Sequence, residues 1–177
     1  MGCLWLELDS VYHQPDWVPL DDASFVARVT SVLSGDSWVI DGNYSAVQAL
    51  VWERADTVVW LDLPRRTVMR RLVVRTLRRV AGRAELWNGN RERWRNFFTW
   101  DPAESVISYA WHSHARYRAR YAAAAADPAH AHLTFIRLRS PAQVRTFLRA
   151  GAEADHTHEV DPAGAGLRRR LVRLVRR

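Results

Sequence analysis

The chain has 177 residues, 48% of them hydrophobic, and a formal net charge of +7. It is long enough to bury a core in one domain and too apolar for wholesale disorder. It has no apolar run of the roughly 18 residues that a membrane-spanning helix needs and no signal-peptide layout. Its single cysteine, Cys3, excludes an internal disulfide, and the expectation is a soluble cytoplasmic protein. All 26 basic residues are arginine, a bias that GC-rich coding produces. The bias excludes chemistry that needs a lysine. It also favours anionic partners such as nucleotides, nucleic acid or lipid headgroups, because guanidinium groups offer planar bidentate donors.

In chain order, Leu4 to Leu8 reads as a short strand ending at Asp9, followed by a Pro- and Trp-bearing loop from Tyr12 to Leu20. Asp21 or Asp22 can cap a helix over 23–33, with Phe25, Val29, Val32 and Leu33 on one face. A strand from Trp38 to Ile40 and a helix over 45–53 come next. Thr57 to Leu63 is apolar at nearly every position, the pattern of a strand covered on both faces of a parallel sheet. Pro64 opens a long helix to about Arg79. Residues 81–101 are rich in Gly, Asn, Arg and aromatic residues and read as an insertion. A helix from about Ala103 to Ala126, a strand from His132 to Leu138 and a helix from Ser140-Pro141 to about Ala150 complete a domain over 1–150. From Gly151 the composition predicts a flexible linker, and Leu167 to Arg177 a short basic amphipathic helix. Strands alternating with helices predict an α/β parallel sheet, whose ligands bind beyond the carboxyl ends of the strands.

Asp9 and Asp41 both fall at such ends. Asp41-Gly42-Asn43-Tyr44 is open to two readings. One is an ordinary strand-ending turn. The other is a carboxylate that orients magnesium-bound water or a substrate hydroxyl, with Gly42 letting the backbone approach a ligand. On the helix after Pro64, Arg71, Arg75 and Arg78 or Arg79 recur at helical spacing, so they form either a solvated basic face or a phosphate clamp. Trp87 to Trp100 interleaves aromatic residues with Arg91, Arg93 and Arg95, which suits a lid or a single-strand nucleic-acid surface. His112 and His114 are two apart and make a poor metal pair on a helix, while His156 and His158 fall in the linker.

These pieces together resemble the adenylate-kinase-type P-loop nucleoside kinases, in the bacterial branch labelled DNA topology modulation proteins. The resemblance rests on L-E-L-D with its downstream W-V-P-L loop, W-V-I-D-G-N-Y, A-D-T-V-V-W-L-D-L-P-R, the Arg-rich helix, and the late strand followed by L-R-S-P, and it covers roughly residues 4–150. It implies a parallel sheet flanked by helices, with a lid over 81–101 and ATP and magnesium as ligands. It implies that Asp41 stands near the magnesium through bound water and that Asp9 stands near the phosphoryl acceptor. Arg71 and Arg75, seven and eleven residues after Pro64, would grip phosphates. Arg91, Arg93, Arg116 and Arg120 are candidates to complete the clamp.

The chain departs from the pattern at its start. The family begins with a strand, then G-x-x-x-x-G-K-[ST], then a helix; its glycine loop cradles phosphates and its lysine reaches the β- and γ-phosphates. Neither the loop nor any lysine is present. The expectation is therefore a kinase-like protein lacking a βα unit of roughly 30 residues, through a misplaced start or a true truncation. It would be inactive as this chain, and its sheet would lack the central first strand. The alternative is a non-catalytic nucleic-acid-binding or regulatory protein that uses the Arg/Trp-rich surface.

Overall fold

The computed structural model describes residues 3–82, 85–90, 106–157 and 170–174. The elements are β1 (Leu4–Glu7), α1 (Leu8–Tyr12), α2 (Asp22–Leu33), β2 (Trp38–Asp41), α3 (Ser45–Arg54), β3 (Thr57–Leu61), α4 (Arg65–Ala81), α5 (Val106–Ala126), β4 (Thr134–Leu138), α6 (Pro141–Thr157) and β5 (Arg170–Leu174). The expected α/β alternation is present, and the five strands form one parallel sheet in the order β1-β2-β5-β3-β4.

Local signals account for most of these elements. Asp21 caps α2 by accepting from the Ser24 N–H at 2.9 Å, and Phe25, Val29 and Leu33 on its apolar face are buried. Val58, Val59 and Trp60 are all buried, so neither face of β3 is open, as its apolar run requires. The main core gathers Phe25, Val29, Trp38, Ile40, Val58 and Trp60 with Tyr121 from α5. At the outer edge, β1 leaves Leu4 and Trp5 exposed.

Two expectations are corrected at the C-terminal end. The helix foreseen over 167–177 is a strand where the chain is described: Arg170–Leu174 is β5. The linker foreseen from residue 151 is helical as far as Thr157. The expected gap in the middle of the sheet is filled as well. β5 lies between β2 and β3, with Asp41 beside Arg173 on one side and Trp60 beside Leu174 on the other.

The physical reason is the backbone. Two strands flanking an empty place would each leave a row of donors and acceptors without partners, at about 1–3 kcal/mol for every buried group. An isolated helix of this length is marginal in water. The spacing of the apolar residues in L-R-R-R-L-V-R-L-V-R-R suits a helix, but pairing on both edges favours the strand.

Candidate functional site at the carboxyl edge of the sheet

β1 and β2 end side by side, with Glu7 paired in register to Asp41. The chain turns from Glu7 directly into α1, which places Asp9 in the first turn of that helix, buried at 6% exposure. After Asp41 the chain turns through Gly42, Asn43 and Tyr44 into α3. The two strand ends are joined here: the Tyr44 hydroxyl donates to Asp9 Oδ1 at 2.6 Å. Asn43 ties the same turn to α5 by donating to the Tyr121 hydroxyl at 2.8 Å.

Gly42 has a structural reason to be glycine. Its φ is +136°, and a Cβ there would lie 2.9 Å from Leu8 Cβ. A side chain would be strained by the backbone conformation and would collide with α1. The space on that side of Gly42 is occupied by Leu8.

His13 stands on the other side of the Tyr44 hydroxyl, with Nε2 at 3.3 Å. Aromatic rings surround it: Tyr12 and Trp17 meet it edge-on at 5.3 Å, and Trp87 stacks on it at 6.2 Å. Burial holds the His13 imidazole below its usual range, because the charged form loses hydration. Burial likewise pushes the Tyr44 phenol well above its usual value.

A strap at residues 87–90 closes this corner. The Trp87 indole N–H donates to Glu7 Oε2 at 2.9 Å. The Asn88 amide donates to the backbone oxygens of Ser10 and His13 at 3.1 and 2.6 Å. Asn90, buried, donates to the Gln14 carbonyl and accepts from the Trp17 N–H, both at 2.9 Å. Asp16 and Trp17 have φ of +58° and +61°, a costly conformation for a bulky residue. The Asn90 side chain helps to hold it.

α4 reaches the same corner with its last turn. It leaves the carboxyl end of β3 through Asp62, Leu63 and Pro64. In its last turn Arg79 stands 6.0 Å over the Trp87 ring, itself bonded to Glu7 at the end of β1. Its 17 residues give about 25 Å of helix, enough to cross the three strand spacings of about 5 Å each. Arg71, exposed, and Arg75, half-buried, lie in its middle turns. Arg116 and Arg120 are exposed on α5. Arg120 Nη2 donates to Gln48 Oε1 on α3, and Arg116 lies 5.6 Å over the Tyr117 ring. Arg91 and Arg93 lie outside the described residues.

A second buried carboxylate sits at the end of β3. Asp62 Oδ2 accepts from Arg137 Nε at 2.9 Å and Nη2 at 2.6 Å, and Arg118 Nε lies 3.3 Å away. Arg137 also covers the Trp60 ring at 4.2 Å. This cluster ties β3, β4 and α5 together.

Sequence reasoning picked out Asp9 and Asp41 and missed Glu7, His13, Tyr44 and Trp87 as their neighbours. Tyr44 was in view as the last residue of the D-G-N-Y turn. For His13 the signal was only a histidine in an aromatic-rich loop. The two-residue spacing of His112 and His114 does separate them: His114 reaches the Leu63 carbonyl at 3.1 Å, and His112 bonds back to Ser108 within its own helix. Among the described residues no group of three or more His, Cys, Asp or Glu could hold a metal, and no helix is long and apolar enough to cross a membrane. Compared with protein-family models, curated proteins and solved structures, the chain matches none.

Proposed function

We propose that the carboxyl edge of this sheet is the acceptor side of an adenylate-kinase-like phosphotransferase site. Its substrates would be ATP and a small hydroxyl-bearing or nucleotide acceptor. The observation that carries the reading is the Tyr44–Asp9 hydrogen bond, which joins the segments after β1 and β2 in one corner, reached through Trp87 by Arg79 in the last turn of α4. Asp9 would orient or deprotonate the acceptor, and Arg71 and Arg75 would neutralise charge on the transferred phosphoryl group. Charge neutralisation and positioning carry most of the catalysis in that chemistry.

Asp41 is one half-buried carboxylate. That donor set fits a magnesium ion held through its own waters, the usual arrangement at phosphate sites, and does not fit an all-protein cage. A lysine and a glycine-rich phosphate loop are not among the 177 residues. The chain alone is therefore expected to bind ATP poorly.

The test is calorimetric titration of magnesium-ATP into the chain as it stands and into a fusion carrying a strand–G-x-x-x-x-G-K-[ST]–helix unit at its N-terminus. Binding by the fusion that is lost in its Arg71→Ala/Arg75→Ala variant supports the reading. Tight binding by the unextended chain would mean that the site lies elsewhere.

The exposed arginines of α4, Arg66, Arg70, Arg71 and Arg78, together with the net charge of +7, support a second reading as a nucleic-acid-binding surface. Its signature is salt: affinity for single-stranded nucleic acid should fall linearly on a logarithmic scale as salt rises, because each neutralised phosphate releases counterions.

A further inference from the structure

The Tyr44 hydroxyl has one hydrogen and two neighbours able to take it. Asp9 Oδ1 is at 2.6 Å and His13 Nε2 at 3.3 Å. The short contact is that of a hydroxyl donating to a carboxylate. The long one, just beyond the usual range for a nitrogen donor, is open to either tautomer of the ring. A relay ending at Nε2 requires the neutral tautomer with its proton on Nδ1, an atom buried without a hydrogen-bond partner among the described residues.

We propose that Asp9, Tyr44 and His13 form a proton relay, in which a proton taken up at Asp9 is passed through the Tyr44 hydroxyl to His13 Nε2. The proposal rests on the phosphotransferase reading only for the origin of that proton. In the transfer, the acceptor O–H bond breaks and its proton goes to Asp9. The acceptor oxygen forms the new bond to phosphorus, and the bond to the leaving nucleoside diphosphate breaks with its electron pair on the diphosphate. The Asp9 proton then moves to Tyr44 Oη as the Tyr44 hydrogen moves to Nε2. Asp9 returns to a carboxylate, Tyr44 is again a phenol, and His13 becomes an imidazolium.

Burial disfavours that end state, and the neighbouring groups offset part of the cost. The imidazolium would lie face to face with the Trp87 ring, a favourable placement for a cation. Asp9 and Glu7 supply negative charge at this corner, Glu7 through its bond to the Trp87 indole, while Arg79 over that ring opposes it. Among the described residues, Tyr12 and Tyr44 are further titratable groups against the ring. Burial favours the neutral imidazole at rest, which leaves one ring nitrogen unprotonated but makes it a weaker base. Tyr44 and His13 act through Asp9 and are positioning residues.

The test is NMR of the full chain with labelled histidine, following the nitrogen shifts and the titration midpoint of His13. The relay predicts a neutral ring protonated on Nδ1. It predicts that Asp9→Asn lowers the midpoint by about one pH unit, since a nearby carboxylate favours the charged ring. In a Tyr44→Phe background, which keeps the ring and removes only the hydroxyl, the same change should have less than half that effect. A neutral ring protonated on Nε2 overturns the proposal, as does an Asp9→Asn shift equally large with and without the hydroxyl. If Asp9→Asn fails to fold, the nitrogen shifts of the unmodified chain decide alone. No nucleotide enters these measurements. A relay found in a chain whose loop-bearing fusion ignores ATP would therefore leave the relay standing and remove the phosphotransferase reading.

Discussion

The two halves of the sheet surround a buried aspartate near the end of a strand with different groups. In the β3–β4 half, Asp62 lies between the guanidinium groups of Arg137 and Arg118 and braces three elements. In the β1–β2 half, Asp9 accepts a hydrogen bond from the Tyr44 hydroxyl, with an imidazole behind it. Burying a carboxylate is costly in both places. Two flanking cations make the first a structural tie whose removal would strand the arginines. At the second, the Tyr44 hydroxyl brings in a phenol and an imidazole, the pair on which the proposed relay rests. The residue type is the same, and the partners decide the role.

β5 is what joins the halves, since β2 and β3 each pair with it. The strongest way to break the comparison is a chain ending after Thr157. Without β5 the sheet divides into two pairs of strands, which are hard to keep stable alone. Urea unfolding followed by tryptophan fluorescence should lose its single cooperative transition, and a transition as sharp as that of the full chain would mean that the C-terminal strand does not bind the halves together. The next largest effect is expected for Asp62→Ala. Removing one side of a buried ion pair typically costs 3–5 kcal/mol; with Arg118 about half exposed, the loss here should be about 3 kcal/mol, read as a lower denaturation midpoint. A loss below about 1 kcal/mol, the level of an exposed pair, would remove the contrast between the two aspartates.

The smallest effect is a pH dependence confined to the β1–β2 half. Burial lowers the folded-state pKa of His13 from the ordinary value of 6.5. Its contribution is complete above that value and is lost as pH falls through it, because the unfolded chain then binds the proton more readily. Stability should decline on acidification below about pH 6.5, and His13→Gln should flatten that decline. An unchanged pH profile in the variant would show that His13 is not the group responsible.

Local chemistry made much of the fold legible. The alternation of strands and helices, the Asp21 cap and the doubly covered β3 all follow from patterns within a few residues of each position. Asp41 was legible as a strand-end acid for the same reason, whereas Asp9, expected at the end of the first strand, lies in the first turn of α1. The environment of each was not. Glu7 and Trp87 are 80 residues apart, and Asp62 and Arg137 are 75 apart. Chain spacing carries no information about such meetings. Gly42 shows a further limit: D-G after a strand suits a ligand approach or a turn, and its space is taken by Leu8.

The sequence by itself determined the α/β class, the order of the first four strands along the chain and the acids at or near their ends, because periodicity and capping act over one or two turns. Tertiary structure decided that the C-terminal arginine-rich segment is a central strand. Its apolar spacing suits a helix, and the choice was made by two distant strand edges whose backbone groups needed partners. Packing also gave the two buried aspartates different neighbours, guanidinium groups at Asp62 and a phenol at Asp9, and burial and neighbours, not residue identity, set the energy of a charge.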